Sequence, residues 1–302
     1  MSNNGQNIST TPSPRGGREE ARKIYFLSDA HLGSWGIEHG RMQERRLVRF
    51  LDEIKTDAKA VYLLGDMFDF WYEWRYVVPK GYTRFLGKLS ELTDMGIEVH
   101  YFTGNHDIWA YSYLEEECGV IMHREPVTTE IGDKVFYLAH GDGLGDPDKQ
   151  FRLIRNIFHS KICQRMFSMI NPRWAMWFGL SWAKNSRMKR LRRIEQSKTQ
   201  DGADGTQFNG NVTMTYNTSG EPEFLGEDRE HLIIYTKEYM LSHPDIDYYL
   251  YGHRHIELDI MLNRDTRLMI LGDWITQFTY AVFDGENLIM SEYEEGVTKF
   301  NE

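Results

Sequence analysis

Five short stretches of the chain hold side chains that bind metal ions or move protons: Asp29 and His31 in SDAH, Asp66 and Asp69 in GDMFD, Asn105, His106 and Asp107 in GNHD, His140 and Asp142 in HGD, and His253 and His255 in GHRH. Any one of them can be a polar loop satisfied by backbone. Five in succession, all of oxygen and nitrogen type and none with a thiolate, point to divalent cations. Carboxylate with imidazole favours Mn²⁺, Fe²⁺ or Zn²⁺ over Ca²⁺ or Cu⁺. There are too many ligands for one ion, whereas two ions sharing a bridging carboxylate use them all. Such a pair serves in-line displacement at phosphorus, turning a water into a nucleophile and stabilising the phosphoryl oxygens.

Each stretch follows a short apolar run. KIYFL, AVYLL, IEVHYF, KVFYLA and DYYLY read as buried strands, and RLMIL and TYAVF as later ones. HGRMQERRLVRFLDEIKT, with Met42, Leu47, Phe50, Leu51 and Ile54 at helical spacing, and YTRFLGKLSELTDMG, ending at a glycine, read as helices. Strands alternating with helices indicate an α/β fold. Polar residues released at strand ends are where such sheets bind ligands.

From about 147 to 195 the pattern becomes helical. Asn171-Pro172 reads as an N-cap followed by proline at the first helical position. Trp174, Trp177, Phe178 and Trp182 then recur at helical spacing before a basic run, AKNSRMKRLRR. Residues 197–227 are polar and glycine-rich and read as a flexible loop. Residues 1–21 read as a disordered tail, leaving 22–302 as one domain.

The 302 residues suffice for a substantial core, and 41% hydrophobic with 26% charged residues is ordinary for a globular protein. A net charge of −10 disfavours a nucleic-acid binder. The two cysteines, Cys118 and Cys163, suit a reducing compartment. The start of the chain has no apolar signal region, and no uncharged run is long enough for a membrane span. The expected location is cytoplasmic.

In their order, D-x-H, GDxxD, GNHD, HGD and GHxH resemble the motifs of the calcineurin-like metallophosphoesterases. The segment from HGDGLGDPDKQF to AKNSRMKR, with GDMFDFW and LGDWI, is similar to the UDP-2,3-diacylglucosamine hydrolase family. The resemblance implies two mixed sheets in a sandwich flanked by helices, with a helical cap at about 147–195. It implies one ion on Asp29, His31, Asp66 and His255 and another on Asp66, Asn105, His140 and His253. Asp69 falls outside that set and is expected to cap its loop.

The implied activity is cleavage of the pyrophosphate of UDP-2,3-diacylglucosamine to lipid 1-phosphate and UMP, a step of lipid A synthesis. The implied substrate contacts are Asn105, Asp148, Ser186, Arg190, Arg193 and His253. The aromatic stripe and basic run match a lipid pyrophosphate and suit a protein resting on the inner-membrane surface. Two departures stand out. Arg190 and Arg193 replace an Asn and a Lys of that family, and His106 stands where its hydrolases carry Arg. His106 is expected to form a dyad with Asp107, which orients it for charge stabilisation or proton donation. His106 also leaves room for an alternative, a related metallophosphoesterase acting on another phosphodiester, pyrophosphate or nucleotide.

Overall fold

In a computed structural model of the chain, residues 22–34, 40–146, 149–182, 184, 215–216 and 222–294 are described. The 1–21 tail, most of the 197–227 loop and four expected substrate contacts (Asp148, Ser186, Arg190 and Arg193) lie outside them.

Two sheets form the centre. The first has the order β13-β12-β1-β2-β3-β4: Leu288–Glu292, Thr279–Phe283, Lys23–Leu27, Ala58–Leu63, Glu98–Phe102 and Ile121–His123. The second has the order β10-β11-β9-β6-β5: Glu257–Met261, Arg267–Leu271, Tyr248–Tyr251, Lys134–Leu138 and Val127–Ile131. Both mix parallel and antiparallel pairs. A separate two-strand ribbon pairs β7 (Thr215–Tyr216) with β8 (Pro222–Glu223).

The strands are apolar on both faces because both faces are covered. Ile24 and Phe26 point into a core shared with Phe136, Leu138, Leu250, Met269 and Leu271 of the second sheet. Their neighbours Tyr25 and Leu27 face the opposite way. They pack on Leu47, Phe50 and Leu51 of α1 (Gly40–Ile54), Phe85 and Leu89 of α2 (Thr83–Asp94), and Leu114 of α3 (Tyr113–Cys118). On the outer face of the second sheet, Tyr137, Tyr249 and Tyr251 meet Leu232 and Ile233 of α7 (His231–Tyr239). The layers are therefore helix, sheet, sheet, helix. Met42, expected on the buried stripe of α1, is 55% exposed.

Between β6 and α7 lies a helical cap: α4 (Lys149–His159), α5 (Lys161–Ser168) and α6 (172–182). Asn171 caps α6, its side-chain oxygen accepting the Arg173 N–H at 3.0 Å. The loops after β2 and β3 hold the cap. The Tyr72 hydroxyl donates to the Gln164 carbonyl at 2.8 Å, and the Trp109 indole donates to the Phe158 carbonyl at 3.0 Å.

Candidate metal centre

The strands β1, β2 and β3 run parallel in one sheet, and β6 and β9 run parallel in the other. Their C-terminal ends meet at one rim, and each releases one of the five motifs there. The loops after β1 and β2 are laced together by backbone bonds: Asp29 N–H to Gly65 O, His31 N–H to Asp66 O, Leu32 N–H to Met67 O and Asp69 N–H to Leu32 O, at 2.9–3.1 Å. Asp29, His31, Asp66, His253 and His255 all sit on left-handed backbone, with φ between 42° and 67°. Such residues cost about 1–3 kcal/mol each and persist where the surroundings over-determine them, as at a functional site.

Three groups of side chains converge, and one of them, His31 with Asp69 and His106, shares His31 with its neighbour. Asp29, His31 and His255 form another, and Asp66, His140 and His253 the third, with their ligand atoms within 4.8 Å of one another in each group. In Asp29 and Asp66 one oxygen is tied back. Asp29 Oδ2 accepts from the Ser28 hydroxyl at 2.6 Å and the His253 N–H at 2.8 Å, and Asp66 Oδ1 accepts from the His106 N–H at 2.8 Å. The other oxygen faces the centre. Asp29 Oδ1 is 3.3 Å from His255 Nε2, and Asp66 Oδ2 is 3.3 Å from His140 Nε2 and 3.7 Å from His31 Nε2. Asp66 therefore stands between the Asp29–His31–His255 group and the His140–His253 pair, where a bridging carboxylate belongs.

The imidazoles are aimed from behind, as metal-binding histidines are. His140 Nδ1 donates to the Leu64 carbonyl at 2.8 Å, His255 Nδ1 faces Asp273 Oδ2 at 3.2 Å, and His31 Nδ1 faces Asp69 Oδ1 at 3.4 Å. Among the described residues, Asp29 Oδ1, Asn105 Oδ1 and His140 Nε2 are buried without a hydrogen-bond partner. Buried polar atoms left in this way are costly unless something else satisfies them. A harder test comes from the glycines. A Cβ on Gly104 would stand 2.2 Å from Asp66 Oδ1, and one on Gly252 would stand 2.5 Å from Asp29 Oδ2. The donor set, its orphaned atoms and its close-packed cradle all fit a pair of divalent cations.

The electrostatics agree. Burial lowers the His31 imidazole, but the carboxylates of Asp29, Asp69 and Asp66 outweigh it and hold it up at about 9. His140 and His255 are likewise raised against burial, chiefly by Asp66 and Asp29 respectively. Burial pushes Asp29 and Asp66 up, yet their neighbouring imidazoles pull both below the usual carboxylate range. The site is thus a field for positive charge, which a divalent cation would take over as the ligating imidazoles release protons.

The expected His106–Asp107 dyad is not formed. Asp107 is fully buried and its carboxylate serves backbone and a phenol. It accepts from Met67 N–H at 2.9 Å, Gly104 N–H at 2.7 Å and the Tyr101 hydroxyl at 2.6 Å. These bonds fix the GNHD loop against the GDMFD loop. The residue that meets the His106 ring is Asp69. Its carbonyl accepts from Nδ1 at 2.8 Å, and its carboxylate lies 3.7 Å from the same atom. A carbonyl only accepts, so Nδ1 carries the proton and Nε2 is the working atom. Burial lowers the His106 imidazole, helped by the like charge of His31 and opposed by Asp66 and Asp69. Asp69, expected only to cap its loop, thus faces two imidazoles of the centre. Asp273, which orients His255, was not singled out in the sequence, because it lies in the loop after β11, outside the five motifs.

Beside the centre opens a cavity of about 290 Å³, lined by Asn105, His106 and Asp69 on one side and by cap residues including Ile154, Arg155, Phe158 and Trp182 on the other. Arg155 is held by Asp142 of the HGD motif at 2.8 Å. The α6 helix packs through small residues, Ala175 and Gly179 being buried, with Gly179 against the Phe70 ring. Its Trp174 and Trp177 are lifted out, 62% and 64% exposed. The aromatic stripe is therefore not core.

The calcineurin-like phosphoesterase model matches residues 22–257, which span every one of these motifs. The chain belongs to the calcineurin-like phosphoesterase family. Among its relatives in that family, the UDP-2,3-diacylglucosamine hydrolase of Porphyromonas gingivalis (strain ATCC BAA-308 / W83) is 40% identical over 274 residues, 90% of this chain and 98% of that one. The protein of the same name from Neisseria gonorrhoeae (strain ATCC 700825 / FA 1090) is 26% identical over 91% of this chain and 99% of its own. This phosphoesterase thus aligns with both relatives over nearly their whole lengths, cap included.

Proposed function

We propose that this phosphoesterase cleaves the pyrophosphate of UDP-2,3-diacylglucosamine, releasing lipid 1-phosphate and UMP, a step of lipid A synthesis. The observation that carries the reading is the 40% identity to the Porphyromonas gingivalis hydrolase across both chains. Asp29, His31, Asp66 and His255 would hold one cation, and Asp66, Asn105, His140 and His253 the other. Mn²⁺ is the proposed pair, given the carboxylate and imidazole donors. When bound, the two ions lower the pKa of water and neutralise the phosphoryl oxygens.

The chain's own residues do the rest. His106, oriented by Asp69, turns Nε2 to the reacting phosphate, and in its doubly protonated form it stabilises charge there or hands the Nε2 proton to the leaving oxygen. Arg155 supplies a fixed cation in the lining of an otherwise largely apolar cavity, which suits an acyl chain next to a phosphate. Asp148, Ser186, Arg190 and Arg193 are proposed to extend the contacts with the substrate. On the outside, Leu153, Ile162, Met166, Met169, Trp174 and Trp177 are all more than 60% exposed on the cap, a surface suited to resting on a membrane and receiving a lipid. No helix among the described residues is long and apolar enough to cross one.

The test is a turnover assay with UDP-2,3-diacylglucosamine and Mn²⁺, with UDP-glucose and cyclic nucleotides as controls. Release of UMP from the lipid substrate alone is expected. His106 favours the second reading, another phosphodiester, pyrophosphate or nucleotide. Equal or faster turnover of a control would select it. Replacing Trp174 and Trp177 by Ala should slow the lipid substrate and spare p-nitrophenyl phosphate. Equal loss on both would deny the cap a lipid-facing role.

A further inference from the structure

Between the two histidines of GHRH stands Arg254, and its side chain runs away from the metal centre into the protein. It is fully buried, as is its partner Glu230. Nε donates to Glu230 Oε1 at 2.6 Å, Nη2 to Glu230 Oε2 at 2.9 Å, and Nη2 also reaches the Glu223 carbonyl at 3.4 Å. The pair therefore ties the histidine loop to two other elements, the end of β8 and the residue that precedes α7. Glu230 is itself anchored, its carbonyl accepting the N–H groups of Ile233 and Ile234 at 3.0 Å. The next residue, His231, is buried and sets its ring edge-on to that of His253, with centroids 6.4 Å apart at 83°. The start of α7 thus grips the loop through Arg254 and braces the His253 ring from behind.

Both flanking histidines sit on left-handed backbone, at φ 67° and 53°. Their backbone alone does not favour this, so something must hold it. A buried ion pair is a poor device for stability, because well-packed apolar residues do as well or better, but its bidentate geometry fixes direction. We propose that the Arg254–Glu230 pair is a positioning device for the metal centre, setting the spacing of His253 and His255 so that each reaches its own ion. Among the described residues the Arg254 guanidinium bonds to Glu230 and the Glu223 carbonyl, so it acts on the two histidines through the loop. The inference rests on the two-metal reading of the site.

The test is Mn²⁺ titration of the full chain by calorimetry, beside its thermal unfolding in chelator. Three variants are compared: Arg254→Lys, Glu230→Gln, and Arg254→Met combined with Glu230→Leu. The double variant replaces the pair by apolar side chains, so its melting temperature should stay close to that of the parent chain while Mn²⁺ affinity falls about 10- to 100-fold, the range typical of lost ligand orientation. Arg254→Lys keeps the charge without the fork and should fall between the two. The proposal is overturned if the double variant melts normally and binds Mn²⁺ as the parent does. Should that variant fail to fold, parent-like affinity in Arg254→Lys and Glu230→Gln overturns it equally. A parent chain that takes up no Mn²⁺ sinks the two-metal reading instead.

Discussion

Gly104 opens the loop after β3, and its missing side chain is what lets that loop lie against Asp66. A Cβ there would stand 2.2 Å from Asp66 Oδ1, 2.7 Å from Cγ and 2.6 Å from the Asp66 backbone nitrogen, where ordinary contact begins at 3.4 Å. Gly104→Ala must therefore displace the Asp66 carboxylate or the GNHD loop by about 1 Å. Neither is a loose end, because Oδ1 also accepts the His106 N–H at 2.8 Å. Overpacking of this kind costs about 1–3 kcal/mol, which a domain stable by about 5–15 kcal/mol survives. Metal-ligand distances tolerate only about 0.2 Å. The variant should fold, melt several degrees lower in chelator, and lose both Mn²⁺ affinity and turnover by about 100-fold or more. Gly87, in the middle of α2 with nothing within 4 Å of its would-be Cβ, is the control, and Gly87→Ala should leave Mn²⁺ affinity and turnover unchanged while melting slightly higher, as a helical glycine replaced by alanine does. Calorimetric Mn²⁺ titration with parallel turnover decides. A Gly104→Ala protein that binds Mn²⁺ and turns over like the parent would refute the close-packed, bridging position of Asp66.

His106→Ala should cut turnover about 10²- to 10⁴-fold and leave Mn²⁺ content near two ions, as loss of a proton-handling group does; metal analysis showing loss of an ion would make His106 a ligand. Asp107→Ala strands three strong donors at once, at about 1–3 kcal/mol each, so urea unfolding should show a loss of at least about 3 kcal/mol. A fall in turnover at unchanged stability would restore the His106–Asp107 dyad. On β4 the His123 ring is pushed down to about 4 by burial and by His100, whose Nδ1 lies 2.9 Å from His123 Nε2. Its folded value lies below the unfolded one, so the unfolded chain gains the proton first. Stability is full above about pH 6.5 and is lost as pH falls toward 4, at no more than about 1.4 kcal/mol per pH unit from this ring. Denaturant titrations at pH 7, 6 and 5 should show a shallower decline in His123→Gln, and identical slopes would refute the assignment.

The strands that read clearly in the sequence are the interior ones. KIYFL, AVYLL and DYYLY are covered on both faces and so appear as unbroken apolar runs. In the two large sheets the strands that did not read, β4, β5, β10 and β13, are the four edges; the short β7–β8 pair falls in the stretch expected to be a flexible loop. β10, ELDIM, alternates exposed and half-buried residues along its length, and β5, VTTEI, does so until its last residue, so a polar-rich pattern hides them. The metal centre was legible because its ligands cluster at strand ends within a few residues of one another. The orienting partners were not. Asp107 adjoins His106 in sequence yet turns to the Gly104 and Met67 backbone, while Asp69, 37 residues away, meets the ring. Adjacent residues at the end of a strand point to different sides, so neighbourhood in the chain is a poor guide to which carboxylate faces which imidazole.

Asp66 is proposed to bridge a pair of cations in the site where the lipid pyrophosphate is cleaved. The most direct measurement is Mn²⁺ stoichiometry of the parent chain and of Asp66→Ala, taken together with UMP release from UDP-2,3-diacylglucosamine on the same samples. Two bound ions with turnover in the parent, and loss of both in Asp66→Ala, is the expected result. Turnover surviving in Asp66→Ala, or a parent chain active with a single ion, would contradict it.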